Sequence, residues 1–414
     1  MSKRPAKIRK SVVAWLQEEV RDPVENWLKC RIKPLPWFLK VILLICLVQL
    51  GSIGVFVGKY PKEAKAYAAT IKYYWVAFWK PGKPIPMSKR EHQELRLEIN
   101  SLIRMLKTKA VDTLDMNAWS IGQVMTSLPD TNGVDVSILI LEAQKYLIGR
   151  GKGYRQFTND DFAQIHISAW LAYGLAFIDR PIDVDDLNFI LGNQDRQSSN
   201  SGWWPVCPCL VRQDGNASTY TTAWAVLALN EQLKKGMIPA DHTDAARASI
   251  NSAELWLKGT RIPGKTRWYD YPYRVRMGER TESLSASALV LHTLHVLDPH
   301  NERSDFQELD SGWIRNLPTE VPSPPYKEVA GVDVEIVPRV YRRDGIRQYV
   351  LPWEIIATVD GYRNANLIER ARALRWIDEM INRLPAADLS LQGAYWIAAE
   401  LLISLQYLES GPNK

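Results

Sequence analysis

The chain has 414 residues, of which 46% are hydrophobic and 24% are charged, which excludes a disordered protein and suffices for one large core or two ordinary ones. The net charge of +6 is modest for this length, so we expect no nucleic-acid partner. Four cysteines are too few for a disulfide scaffold, whereas 16 tryptophans and 17 tyrosines provide the aromatic surface in which ligand sites are rich.

The first predicted element is a membrane-spanning helix at residues 41–58, VILLICLVQLGSIGVFVG. This run carries no charge and is long enough to cross a bilayer, although a buried core helix is the alternative. It begins too far into the chain for a cleaved signal peptide. Lysines and arginines are frequent in residues 1–40, and lysines also follow the span. The positive-inside rule then predicts a single-pass protein of the cell (inner) membrane, with residues 1–40 in the cytoplasm and the following domain outside it.

Residues 59–88 join this span to the rest of the chain. They contain an aromatic segment, with Tyr73, Tyr74, Trp75, Phe78 and Trp79, followed by the proline-rich stretch PGKPIP. Tyrosine and tryptophan are frequent where a bilayer meets water, so we expect this segment to lie at the membrane interface. The main domain is then predicted to occupy residues 89–410.

Two classes of helix alternate through this domain. The first class carries the pattern alanine, two variable residues, an aromatic and an aliphatic residue, as in AQKYL, AELWL and ALRWI, with DLNFI and GWI as variants. Helix 91–106 precedes them as the first outer helix. The second class is apolar nearly all round: MNAWSIGQVM, HISAWLAYGLAFI, TTAWAVLAL, SLSASALVLHTL, LPWEIIATV and GAYWIAAELLISL. Six outer and six inner helices in alternation predict an all-α domain of six helical hairpins closed into an (α/α)6 toroid. An open solenoid of helical pairs is the alternative.

The stretch DLNFILGNQ, followed by SGWWP and STYTTAWAVLAL, resembles the glutamine-tryptophan repeat of the squalene and oxidosqualene cyclase and protein prenyltransferase superfamily. The other outer helices resemble degenerate copies of this repeat, over roughly residues 90–408. The resemblance implies an α/α toroid. It implies little about activity, because unrelated functions recur on one architecture.

The catalytic signatures of that superfamily are incomplete in this chain. The cyclases use an Asp-x-Asp-Asp acid before an inner helix, whereas DVDD here, at residues 183–186, precedes an outer helix. We interpret it as a helix start, since carboxylates are favoured as caps there. The prenyltransferases hold zinc with an Asp-x-Cys and a distant histidine. The weak candidates here are Cys207, Cys209 and His166, so we expect no cofactor, with zinc as a minor alternative.

The long connections run from outer to inner helices, at residues 149–161, 195–217, 259–281 and 316–348, so they are predicted to gather at one end as the mouth of a site. Arginines interleaved with tryptophans and tyrosines suit a ligand with anionic groups and apolar surface. The predicted ligand-binding residues are Trp203, Trp204, Arg267, Trp268, Tyr271, Arg274, Arg276, Arg342 and Arg343. The candidate catalytic carboxylates are Asp160, Asp161, Asp214, Asp270 and Glu282. Packing of the loops on each other would use the same residue types.

Three functions remain open, and the sequence does not decide whether the protein is an enzyme. The first is a membrane-anchored protein that binds and processes an isoprenoid or lipid-linked diphosphate in this mouth. The second is a non-catalytic docking subunit of a membrane complex. The third is a glycan-processing hydrolase or lyase that uses a carboxylate pair.

Overall fold

A computed structural model describes residues 71–78, 118–127, 137–155, 160–197, 200–208, 214–273, 282–298, 305–317, 327–328, 347–348, 351–383, 402–404 and 406–408. The chain divides into two compact units, Met1–Lys72 and Tyr73–Lys414. The predicted span at residues 41–58 lies outside the described residues. Among the helices that are described, none has the length and apolarity needed to cross a bilayer.

The described part of the chain is mostly helical, as predicted for an all-α domain. Residues 71–78 form α1. The ten helices that follow are α2 Ala118–Ser127, α3 Ser137–Gln144, α4 Ile165–Phe177, α5 Val184–Gly192, α6 Thr219–Lys234, α7 Ala240–Gly259, α8 Leu284–Leu297, α9 Asp305–Arg315, α10 Leu351–Tyr362 and α11 Leu367–Arg383. Residues 402–404 and 406–408 are also helical, and we call them the C-terminal segment. Each predicted inner or outer helix from residue 116 to residue 377 overlaps one of these helices.

Burial separates the two helix classes. The inner helix α4 buries ten of its thirteen residues, so it is enclosed on nearly every side. The outer helix α7 has 20 residues and buries six of them, as expected for a helix with one face in solvent. The even-numbered helices pack in sequence, α2 on α4, α4 on α6, α6 on α8 and α8 on α10. The odd-numbered helices from α3 to α11 each pack on an even-numbered neighbour.

The inner helices α2, α4 and α6 run in the same direction. Gly122 of α2 faces Trp170 of α4, and three residues later Met125 faces Gly174. A Cβ atom on Gly174 would lie 2.9 Å from the carbonyl oxygen of Gly122, so this close approach of α2 and α4 requires glycine. At the far end of α6, the Gln232 side chain donates to the carbonyl of Ala172 in α4 over 2.8 Å, which aligns these two helices as well.

Short antiparallel strands, which were not predicted, order the long connections. β1 Trp204–Pro205 pairs with β2 Ala217–Ser218, β3 Trp268–Tyr269 with β4 Glu282–Ser283, and β5 Lys327–Glu328 with β6 Arg347–Gln348. In each of the first two pairs the second strand leads directly into an inner helix.

Three of these connections repeat one hydrogen bond to the first or second turn of an inner helix. The backbone amide of Trp204 donates to Thr222 Oγ1 over 3.0 Å, that of Trp268 to Ser287 Oγ over 2.9 Å, and that of Tyr154 to Ser168 Oγ over 2.9 Å. The described parts of these connections therefore lie together at the amino ends of α4, α6 and α8.

The C-terminal segment contacts both the first and the last described inner helix. Gln406 donates from Nε2 to the carbonyl of Ser127 at the end of α2 over 3.2 Å. Leu402 belongs to the hydrophobic cluster around α2. The Tyr407 hydroxyl donates to the carboxylate of Asp360 in α10. Gln406 and Ser127 are thus in contact although 279 positions separate them in the sequence.

Candidate functional site

Trp204 and Trp268, predicted to face a ligand, are fully buried. The indole N–H of Trp204 donates to the carbonyl of Ile190 in α5 over 2.7 Å, and that of Trp268 donates to the carbonyl of Leu257 in α7 over 2.7 Å. Both carbonyls lie in the last turn of an outer helix, where backbone oxygens lack a helical partner. The two indoles therefore cap the preceding outer helix and do not form a rim. Trp203, beside them, is equally buried.

Arg267 is also committed to internal contacts. Its side chain is 5% exposed, its guanidinium carbon lies 4.5 Å from the centre of the Trp313 ring, and Nη2 donates to the carbonyl of Asn316 over 2.9 Å. Tyr271 is 3% exposed. Arg274, Arg276, Arg342 and Arg343 lie outside the described residues. The described part of the predicted arginine and tryptophan rim is thus interior packing.

The five candidate carboxylates are not brought together as a described pair. Asp270 is buried, and its Oδ1 accepts from Ser218 Oγ over 3.0 Å and from the amide of Tyr220 over 3.3 Å. It therefore caps the start of α6 from the neighbouring connection. Asp160 is half-buried and Asp161 is exposed. The side chains of Asp214 and Glu282 are not among those that the structure describes.

DVDD begins an outer helix, as predicted. Asp183 is the N-cap of α5, and its side chain accepts from the amide of Asp185. Burial raises the pKa of Asp186 to about 6, while a hydrogen bond from Tyr154 opposes the rise.

The weak zinc candidates do not form a described metal site. Cys207 is disulfide-bonded, so it does not offer the thiolate that zinc binds. Its partner lies outside the described residues, as does Cys209. Burial lowers the pKa of His166 to about 3, and its ring packs against Tyr220 with centroids 6.0 Å apart. No group of three or more histidine, cysteine, aspartate or glutamate residues with metal-binding geometry occurs in the part of the chain that is described.

Aromatic rings from several inner helices meet inside the domain. Trp170 of α4 and Trp224 of α6 stack with centroids 3.8 Å apart. Trp353 of α10 lies edge-on to them, 5.2 Å from Trp224 and 6.4 Å from Trp170, and Trp119 of α2 lies 5.3 Å from Trp170. We call these four residues the tryptophan layer.

Three indoles of this layer have unsatisfied hydrogen-bonding capacity. The Nε1 atoms of Trp170, Trp224 and Trp353 are buried and have no hydrogen-bond partner among the residues described. Buried indole N–H groups usually find an acceptor, and each unpaired one costs free energy. A ligand between the inner helices with acceptor atoms and apolar surface would match this layer.

A histidine, a carboxylate and a phenol lie next to the layer. His292 of α8 contacts Asp360 of α10 with 2.9 Å between Nδ1 and Oδ2, and the Tyr407 hydroxyl donates to the other carboxylate oxygen. The His292 ring lies 6.0 Å from Trp353 and 5.4 Å from Tyr407, measured between centroids. Burial, the Asp360 charge and its hydrogen bond raise the pKa of Tyr407, so the phenol stays protonated. We call His292, Asp360 and Tyr407 the histidine cluster.

Glu354 is a second group that was not predicted to be functional. It lies in the first turn of α10 and is 4% exposed. Burial raises the pKa of Glu354 to about 8, and the charge of Arg267 opposes this rise. The carboxyl group is therefore mostly neutral at pH 7.

Sequence patterns carried part of this information. The Ala-Trp pairs of the inner helices mark three members of the tryptophan layer, since Trp119, Trp170 and Trp224 each follow an alanine. His292 stands in the mostly apolar run ALVLHTL, and a histidine is an uncommon residue in a helix that is buried on most sides. No pattern linked it to Asp360 or Tyr407, because those residues lie 68 and more positions away.

Comparison of the chain with protein-family models gives no match, and comparison with curated proteins gives none either. The resemblance to the cyclase and prenyltransferase superfamily therefore remains a prediction that rests on the repeat.

Proposed function

We propose that this protein is a membrane-anchored (α/α)6 toroid that binds a partly apolar ligand of the isoprenoid or lipid-linked diphosphate type between its inner helices. The closed ring is supported by the C-terminal segment, which contacts α2 through Gln406 and Leu402 and contacts α10 through Tyr407. An open solenoid would keep its first and last helices apart.

The tryptophan layer is the observation that carries the ligand proposal. Indole rings offer large apolar surface with one hydrogen-bond donor each. In this layer three donors remain unpaired among the described residues, although all three side chains are at most 4% exposed. An isoprenoid chain with an oxygen-bearing head group would supply both apolar contact and acceptors. The arginines at positions 274, 276, 342 and 343 are proposed to hold its anionic group.

Exposed aromatic residues of α1 support a membrane location. Trp75 is 65% and Phe78 is 63% exposed, and Tyr74 is exposed beside them. On the other face, Tyr73 is buried and its hydroxyl donates to Asp378 of α11. Such an aromatic face suits the interface between lipid head groups and acyl chains. The disulfide at Cys207 is consistent with a domain outside the cytoplasm, because disulfides persist in oxidising compartments.

A docking subunit without chemistry is the second candidate. Arg267 was predicted to bind ligand and Asp270 to catalyse, yet each has internal contacts: Arg267 packs on Trp313, and Asp270 caps α6. The stacked rings of Trp170 and Trp224 also fill space between the inner helices. A docking protein without a ligand would need only such internal packing to keep its fold.

Ligand binding to the full-length protein in detergent separates these candidates. We expect solvent extracts of the purified protein to contain an isoprenoid lipid by mass spectrometry, and farnesyl diphosphate to bind in calorimetry. Trp224→Ala should weaken binding by about tenfold or more, since it removes stacking and a donor together. Trp256→Ala is the matched control, because Trp256 is a buried tryptophan of the outer helix α7. Equal loss in both variants, or an empty protein that binds no probe, would favour the docking subunit.

The anionic part of the proposal has its own test. Replacing Arg274 and Arg276 with alanine should abolish the preference for farnesyl diphosphate over farnesol while leaving the thermal transition in place. An unchanged preference would remove these arginines from the site.

A further inference from the structure

Two histidines one turn apart on α8 use opposite ring nitrogens. His292 meets Asp360 through Nδ1 at 2.9 Å, whereas His295 meets Asp310 through Nε2 at 2.7 Å. An ionised carboxylate only accepts hydrogen bonds, so the nitrogen that faces it carries the proton. In the neutral ring of His292 the lone pair is then on Nε2.

The Nε2 atom of His292 has no hydrogen-bond partner among the described residues, although the side chain is only 6% exposed. The ring lies beside Trp353 and perpendicular to Tyr407. An acceptor nitrogen between aromatic rings in the interior matches a ligand that combines apolar surface with a hydroxyl donor.

Titratable groups near the cluster come from α4, from α6 and from Arg363, the residue after α10. Tyr173 of α4 lies within the electrostatic reach of Glu231 of α6 and of Asp360, and both charges add to burial in raising the pKa of that tyrosine. Tyr173 and Arg363 act on Tyr407 in turn. Both phenols therefore stay neutral. Within the cluster, the acceptor atom that has no hydrogen-bond partner among the described residues is Nε2 of His292.

We infer that the histidine cluster binds a hydroxyl group, in which His292 Nε2 accepts a hydrogen bond from a lipid alcohol that lies next to Trp353. The hydroxyl keeps its proton, and no covalent bond forms or breaks in this binding step. The Asp360 carboxylate accepts the hydrogen bond from Nδ1 and fixes the ring orientation, so Asp360 is a positioning residue. Tyr407 holds the second carboxylate oxygen. The assignment of the ligand as a lipid rests on the proposed function, whereas the assignment of Nε2 as a hydrogen-bond acceptor rests on the contact between Nδ1 and Asp360.

The tautomer of His292 tests the nitrogen without any ligand. In full-length protein labelled with ¹⁵N-histidine, His292 should show a proton on Nδ1 and none on Nε2, and His292→Gln should remove that signal. His295→Gln is the matched control and should remove a signal of the opposite tautomer. Asp360→Asn should shift His292 toward the Nε2-protonated form, with the thermal transition retained. A His292 ring already protonated on Nε2 in the wild-type protein would overturn the inference.

Farnesol and its methyl ether test the ligand class, because they differ by one hydroxyl donor. We expect wild-type protein to bind farnesol about fivefold more tightly, which corresponds to one net hydrogen bond, and His292→Phe to remove the difference. Equal affinities in the wild type overturn the hydroxyl assignment. If neither compound binds, the proposed isoprenoid function fails, and the acceptor role of His292 Nε2 is then decided by the histidine tautomer alone.

Discussion

At the scale of single residues, the interior of this protein holds titratable groups that a sequence pattern does not locate. His292, Asp360 and Glu354 stand in inner helices, where most neighbours are alanine, leucine and isoleucine. Their chemistry depends on which helix faces them. The spacing of residues along one helix does not show which other helix faces it, so the carboxylates predicted to be catalytic all lie in the loops.

Glu354 gives a prediction about pH. Burial raises the pKa of its carboxyl group from 4.5 to about 8, so the folded protein binds a proton that the unfolded chain has lost in this interval. Stability therefore falls as pH rises between these two values and is flat above them. Glu354→Gln removes this dependence and should be more stable than wild type by on the order of 5 kcal/mol above the interval.

Thermal unfolding of both proteins at about pH 5 and about pH 9 measures this difference. The gap between the two melting temperatures should widen at the higher pH. A constant gap at both values would show that Glu354 ionises as freely in the fold as in the unfolded chain. Asp161→Asn serves as the control, because Asp161 is exposed.

At the scale of secondary-structure elements, helices were predicted well because the inner and outer classes differ in how many faces they bury. The short strands were missed, since two residues are too few for an alternating pattern. The tryptophans of SGWWP and RWYDY were predicted to face a ligand, yet Trp204 and Trp268 cap α5 and α7. The composition of a loop shows that it carries aromatic side chains. Which way those side chains point depends on the unpaired carbonyl groups at the end of the preceding helix, and the loop sequence does not show these.

The cap of α6 gives a prediction at this scale. Asp270→Ala removes the acceptor of Ser218 Oγ and of the Tyr220 amide, so one buried and one partly buried donor lose this partner. We expect a loss of about 1–3 kcal/mol in unfolding free energy, measured by thermal or chemical denaturation. Asp161→Ala, at an exposed loop position, should change stability by less than about 0.5 kcal/mol. Similar losses in both variants would contradict the capping role.

At the scale of the whole molecule, the alternation of helices predicts an all-α domain, which the described residues confirm. The predicted closure into a ring stays a proposal, supported by the contact between Gln406 and Ser127, which no local pattern encodes. The predicted gathering of long connections agrees with the shared hydrogen bonds at the starts of α4, α6 and α8.

The proposed closure gives a prediction at this scale. The double substitution Leu402→Ala and Gln406→Ala removes a buried side chain and the bond to Ser127. We expect a loss of about 3–5 kcal/mol, together with faster hydrogen exchange in α2 as well as α10. Leu255→Ala is the control, because Leu255 is 72% exposed on α7. Faster exchange in α10 with α2 unchanged would indicate an open arrangement of helices.

The loop lengths of the C-terminal contacts set an expected order of events during folding. Tyr407 lies 47 positions from Asp360, whereas Gln406 lies 279 positions from Ser127, and the cost of closing a loop grows with its length. We therefore expect the C-terminal segment to dock on α10 before it meets α2. His292 lies 68 positions from Asp360, so the histidine cluster is complete in a partly folded chain whose contact with α2 has not yet formed.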